Sequence, residues 1–371
     1  MDDTIYLHCL SKIPGVGAEK LRQLSLHFGS AQSAWNGDPS ELRRAGLSEK
    51  LTAIITKSRA SIDPENESQS IEKHGIRLIS QESDEYPPLL REIPNPPYLL
   101  YVRGGIDLNA GPCITVVGTR RPTEYGLGIA REFSRELARI GITVVSGLAL
   151  GIDQEAHRGA LLEGKTLAVL GNGVDDASIA PRTHLELARS IVLQGGLLSD
   201  YPPGTQASAG TFPARNRLMA GISLGTVVVE STEKSGTLIT ARLALEFNRD
   251  VFAIPGSIYS EYSRGPHSLL KEGAILAGSV ADILDALPIS RVPRKETLGK
   301  DDAGSEINLS PDEAFLLKTL GCDTLHIDTI VKRSSMSASD AISTIAFLEM
   351  KGLVKNIGSM HYIRTYRMNS K

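Results

Sequence analysis

The stretch 113–150, CITVVGTRRPTEYGLGIAREFSRELARIGITVVSGLAL, leaves the chain little choice of architecture. Its apolar run 114–117 is short, β-branched and closed by Gly118, the pattern of a strand buried on both faces. Residues 128–140 place Ile129, Phe133, Leu137 and Ile140 on one helical face, and Gly141 stops the helix. The run 142–145 is a second strand, closed by Gly147. Strand, helix and strand form one βαβ unit, which belongs to a parallel sheet with helices on its faces.

Backbone N–H groups of Gly turns and of helix first turns converge at the carboxyl ends of such strands and attract anions. The turn after the first strand adds Arg120 and Arg121. A phosphate-binding edge and plain architecture both fit this unit taken alone. GTRRPTEYGLG lacks the tight glycine spacing of a dinucleotide site, and no ribose-binding acid ends the second strand.

Over 371 residues there is room for two or three domains. A formal charge of -3 gives no general nucleic-acid signature, so any such site has to be a local patch. Cys9, Cys113 and Cys322 stand far apart without ligand spacing, which speaks against a disulfide framework or a metal site and fits a reducing compartment. The N-terminus lacks the pattern of a signal peptide, and no apolar run is long enough to span a bilayer. The expectation is a cytoplasmic protein with no membrane partner, metal or cofactor.

In chain order, 1–65 is expected to be a small helical domain of helix–hairpin–helix or SAM-like type, with IPGVG as a turn that either offers N–H groups to a phosphate or only turns the chain. Residues 66–110 form a Pro-rich connector packed along the core, with a strand at 98–102. The core, 111–287, repeats strands at 114–117, 142–145, 167–170, 197–199, 227–230 and 251–254, with helices between them at 151–162, 183–193 and 237–247. A polar linker follows at 288–306. Residues 307–371 give helix, turn, helix and two short strands, the order of a winged helix. Ser310 caps its first helix, Ser337 or Ser339 starts its third, and Lys351, Lys355, Arg364, Arg367 and Lys371 make a basic wing that meets DNA or protein. The fold class is thus α/β: a Rossmann-like, doubly wound parallel sheet with a helical N-terminal domain and a C-terminal winged helix.

Along the sheet's carboxyl edge the sequence gathers GTRR (118–121), SGLALGID (146–153), GNG (171–173), FPARNR (212–217), EKSGTLITAR (233–242) and IPGSIYSEYSRG (254–265). Arg120, Arg215 and Arg217 supply charge, Phe212 a stacking face, and Ser235, Thr237 and Ser257 hydroxyls. One nucleotide needs one or two such loops; several along one edge suit a run of phosphates and splayed bases.

These blocks resemble the DNA-processing protein A family (DprA, also called Smf), most specifically in VVGTRRPTEYG, VVSGLALGIDQEAHRGAL, TFPARNRLMAGIS, VVVESTEKSGTLITARLALE and VFAIPGSI. The resemblance runs along the whole chain. It implies a non-catalytic protein that binds and protects incoming single-stranded DNA in natural transformation, helps load the RecA recombinase and dimerises through its core. The DNA contacts it implies, with the edge loops, are Gly118, Thr119, Arg120, Arg121, Gly147, Gly171, Phe212, Arg215, Asn216, Arg217, Ser235, Gly236 and Thr237, with Arg182 as the equivalent of a basic residue. The chain departs from the family pattern at Thr119, where Ser is usual, and at His184 and His267, where Asn is common.

One alternative is a nucleotide hydrolase of the LOG type, with Glu246 in SGTLITARLALE as its acid; the Pro-Gly-Gly and Arg-Glu pair of that pattern are missing. Asp153 and His157 invite a general-base assignment, but a helix cap and a packed histidine explain them as well. A third reading is an interaction scaffold whose core dimerises and whose winged helix recruits a protein.

Overall fold

The computed structural model describes residues 2–208, 210–287, 309–320, 325–351, 353–356 and 358–364. Six helices come first: α1 (Asp3–Ser11), α2 (Ala18–Phe28), α3 (Ala31–Asn36), α4 (Pro39–Arg44), α5 (Glu49–Arg59) and α6 (Pro64–Lys73). Next come β1 (Ile76–Ser80), α7 (Pro88–Arg91) and β2 (Leu99–Arg103). The core continues through β3 (Cys113–Val117), α8 (Glu124–Arg139), β4 (Thr143–Ser146), α9 (Ile152–Ala160), β5 (Thr166–Val169), α10 (Leu185–Gln194) and β6 (Gly196–Ser199). It closes with α11 (Thr211–Ile222), β7 (Gly225–Val228), α12 (Thr237–Glu246), β8 (Asp250–Ala253), α13 (Arg264–Lys271), β9 (Ile275–Leu276) and α14 (Val280–Ala286).

One sheet holds these nine strands in the order β1-β2-β6-β5-β4-β3-β7-β8-β9. From β6 to β9 every pairing is parallel, and β3, β5, β6 and β7 are buried at every position, as strands covered on both faces must be. Leu218, Met219, Leu238 and Ala241 from α11 and α12 pack in one apolar cluster. Ala130, Phe133 and Leu137 from α8, Ala156 from α9 and Ile283 from α14 pack in another. Helix α8 begins four residues earlier than the apolar periodicity indicates, because its first turn puts no side chain into the core cluster: Glu124 and Tyr125 are exposed and Leu127 is half-buried.

The connector contributes more than a strap along the core. Its prolines lie between the strands, while β1 and β2 add to the sheet, β2 running antiparallel to both β1 and β6. The N-terminal helices share one apolar cluster with Tyr98, just before β2, and with Tyr101 and Leu197 of the sheet. His8 lies 3.0 Å from both the Tyr101 hydroxyl and Glu67, and its hydrogen bond is the main reason the Glu67 carboxyl is held down at about 2.

The C-terminal unit is a winged helix: α15 (Pro311–Leu320), β10 (Leu325–His326), α16 (Ile327–Ser334), α17 (Ala338–Met350), β11 (Val354–Asn356) and β12 (His361–Arg364), with sheet order β10-β12-β11. The capping box forms as the sequence indicates: Glu313 N–H donates to Ser310 Oγ and Ser310 N–H to Glu313 Oε2. Ser337, not Ser339, caps α17, accepting from Asp340 N–H. Cys322, Arg367, Lys371 and the expected linker lie outside the described residues.

Candidate nucleic-acid interface

Strand order reverses between β3 and β7: the chain winds outward from β3 through β4, β5 and β6, then returns to β3's other side with β7. Loops leaving a doubly wound sheet at such a point diverge and leave a crevice. A pocket of about 460 Å³ opens there, lined by Gly118, Thr119, Arg120 and Arg121 after β3, by Phe212, Arg215, Asn216 and Met219 of α11, and by Ser235, Gly236, Thr237 and Thr240 around the start of α12. Both helices thus present their first turns, and so their positive dipole ends, to the same space.

Short contacts fix the turn that carries Arg120. A Cβ on Gly118 would lie 2.4 Å from an Ile152 side-chain atom, so glycine lets the turn sit directly on α9. Thr119 N–H donates to Glu230 O at 2.7 Å, Ile152 N–H donates to Thr119 O at 3.3 Å, and Arg121 N–H donates to Thr119 Oγ1 at 3.2 Å. On the facing loop, Thr237 Oγ1 donates to Gly118 O at 3.0 Å, and Ser235 Oγ donates to Thr237 Oγ1 at 3.0 Å. Arg120 itself is exposed, with its guanidinium 5.5 Å from the Phe212 ring centroid and no ion pair among the described residues. A cation stacked on a ring is held over the pocket without being neutralised.

The structure divides the FPARNR segment. Consecutive helical residues point about 100° apart, so Arg215, Asn216 and Arg217 cannot all face one ligand. Phe212, Arg215, Asn216 and Met219 follow the i, i+3, i+4, i+7 spacing of one face, a signal the sequence already held. Arg215 is only 4% exposed and donates to Gly147 O at 2.6 Å and to Val169 O, clamping the ends of β4 and β5. Burial is the first cause that lowers its pKa to about 10, so it stays charged at neutral pH. Gly147 lies behind it, where a Cβ would sit 2.2 Å from the guanidinium, and contacts the arginine rather than the pocket. Arg217 turns away to Asp200 at 2.6 Å and Asn95 O at 2.7 Å. Gly171 packs the loop after β5 against Thr211, and Arg182 bonds Asp176 O on that same loop; neither lines the pocket.

Asp153 reaches the pocket floor. It accepts from Gly147 N–H at 3.1 Å and Ala149 N–H at 3.4 Å, so it braces the loop after β4 while Gly151 occupies the N-cap of α9. Burial raises its pKa, opposed chiefly by the Arg215 charge. His157 is wholly buried, with Nδ1 2.7 Å from Thr166 Oγ1, and burial pushes it down to about 3. It packs against β5 and cannot reach a substrate in the pocket. Glu246 ends α12 while Thr237, its first residue, lines the pocket, a separation of roughly 14 Å along the axis. His184 is buried and its Nδ1 lies 2.9 Å from Leu148 O, and His267 Nε2 lies 3.2 Å from Gly256 O. Among the described residues no three His, Cys, Asp or Glu side chains group as metal ligands, and no helix is long and apolar enough to cross a membrane.

Comparison with known proteins gives this geometry its context. The model of the family described as DNA recombination-mediator protein A matches residues 77–288, starting inside β1, and a DprA winged helix domain matches 300–357. Protein Smf of Escherichia coli is 34% identical over 379 residues, covering 99% of this chain and 97% of that protein. The X-ray structure of DNA processing protein A from Streptococcus pneumoniae, 33% identical, superposes with a TM-score of 0.65 over 77% of this chain and 98% of that one. A structure of DNA processing protein A from Helicobacter pylori, described for its single-stranded DNA binding mode, is 29% identical with a TM-score of 0.52 over 57% and 94% of the two chains. The chain belongs to the DNA recombination-mediator protein A family.

Proposed function

We propose that the protein binds single-stranded DNA in the pocket between β3 and β7, protects it during natural transformation and helps load RecA recombinase, without breaking a bond. Arg120 carries this reading: it is an exposed cation on a rigid turn, stacked on an aromatic ring, between two helix N-termini. That combination suits a phosphate and the base beside it. Gly118, Thr119, Arg121, Phe212, Asn216, Ser235, Gly236 and Thr237 complete the contact surface, while Gly147, Gly171, Arg182, Arg215 and Arg217 support it. The structure of the Helicobacter pylori relative, described for its single-stranded DNA binding mode, supports the choice of ligand. A non-catalytic role agrees with the burial of His157 and the distance of Glu246 from the pocket. The active form is a cytoplasmic homodimer joined through the core, near α12 and β8.

Fluorescence anisotropy with labelled single-stranded and duplex oligonucleotides tests this reading. Single strands bind more tightly, and log affinity falls with log salt by about 0.7 per phosphate neutralised. A salt-insensitive complex, or equal binding of both forms, contradicts it. Recombinase loading is tested by RecA filament formation on DNA coated with single-strand-binding protein, which the protein accelerates.

A further inference from the structure

The pocket ends at α12, but the sheet edge continues across β8. The loop that leaves β8 exposes Ile258 at 76% and Tyr259 at 93%; among the described residues no other large apolar side chain is as exposed as Tyr259. One exposed ring means little alone. Its mounting is the informative part. Ser260 N–H donates to Ser257 O at 3.0 Å and Tyr259 N–H to Ser257 Oγ at 3.3 Å, so the ring stands at the tip of a closed turn.

That turn is tied to the pocket through the backbone. Ser231 N–H donates to Tyr262 O at 2.7 Å and Gly265 N–H to Ser231 O at 2.9 Å, while the preceding Glu230 O receives Thr119 N–H at 2.7 Å. One hydrogen-bonded path therefore joins the loop of Arg120 to the loop of Tyr259. Since β3, β7 and β8 pair in parallel, both loops open at the same edge. Two strand spacings separate their parent strands, about 10 Å. Lys234 and Arg264 are exposed near this junction, without ion pairs among the described residues, but Glu233 and Glu261 stand close in sequence. Local charge is therefore nearly balanced, which favours contact with a base over contact with a phosphate.

We propose that Tyr259, with Ile258 beside it, is a second stacking platform, taking a nucleobase from the same single strand whose phosphate meets Arg120. It rests on the single-strand reading above. Every base has a π face, so the platform lengthens the contact without selecting sequence.

The test measures affinity of the full-length protein for short and long oligothymidylates, with Tyr259→Ala, Tyr259→Trp and Arg120→Ala. Tyr259→Ala weakens binding of the long oligonucleotide roughly tenfold and loses the gain in affinity with length. Tyr259→Trp keeps the affinity, and its added fluorescence is quenched by the oligonucleotide, distinct from Trp35, which is only 6% exposed. Wild-type affinity in Tyr259→Ala, with Arg120→Ala impaired, overturns the platform and leaves the single-strand reading standing. Loss of affinity in Tyr259→Ala together with a lower mass by light scattering assigns the ring to a protein contact and overturns it too. Unimpaired Arg120→Ala removes the single-strand reading itself, and the platform with it.

Discussion

The pocket between β3 and β7 and the third helix of the winged helix are two places where this fold combination would carry cations for DNA. They differ sharply. The pocket holds Arg120 and Arg121 on a fixed turn, with Phe212 as a stacking face. Helix α17, ASDAISTIAFLEM, contains no Lys or Arg, carries Asp340 and Glu349, and exposes Ile342, Phe347 and Met350. A helix entering a groove walled by phosphates gains its affinity from neutralising them, and α17 offers little to do so. Fold alone does not assign the ligand; the residues at the site do.

Arg215 gives the largest way to break this comparison. If it is a clamp and not a free DNA cation, Arg215→Ala leaves Asp153 without its main compensating charge and costs about 3–5 kcal/mol of stability, read as a lowered urea midpoint. Arg215→Lys does not restore it, because an ammonium cannot reproduce the fork that reaches two carbonyls. An unchanged midpoint, with DNA affinity lost, would return Arg215 to the ligand.

Acid should weaken the sheet unit next. Burial depresses His157 from 6.5 to about 3, with the Arg215 and His184 charges adding to the effect. The folded protein therefore favours neutral His157, so its contribution is complete above pH 6.5 and drains as pH falls toward about 3, by a few kcal/mol. Asp153, raised by burial, works in the opposite direction. Urea titrations at pH 7 and pH 5 should show the loss, and His157→Asn should flatten it. The winged helix buries no histidine among its described residues, so this sensitivity belongs to the sheet.

Phe212→Ala should weaken single-strand binding by about 1–3 kcal/mol through lost stacking. Smallest of all, Lys332→Ala with Arg333→Ala in α16 should change single-strand affinity by less than about 0.5 kcal/mol, the ordinary range for surface changes away from a site. A larger effect there than at Phe212 would reverse the comparison.

The parallel core was legible because its strands are continuous apolar runs ended by small residues: CITVV before Gly118 and TVVS before Gly147 leave no amphipathic option. Arg120, Phe212, Ser235 and Thr237 were legible because turn chemistry and the βαβ pattern together place them at one edge. The role of Arg215 was not. Its charge is compensated by carbonyls of residues 147 and 169 and by Asp153, groups that only the folded sheet brings together. The place of β2 was hidden for a related reason. Five prolines precede it, yet they end before Leu99, and the strand itself is free to pair on both sides.

The most direct measurement is the affinity of wild type and Arg120→Ala for one labelled single strand, by anisotropy at low and moderate salt. A loss of about 1–3 kcal/mol in the variant, with a shallower salt slope and an unchanged urea midpoint, is the expected result. Equal affinity and equal slope would place the DNA elsewhere on the molecule.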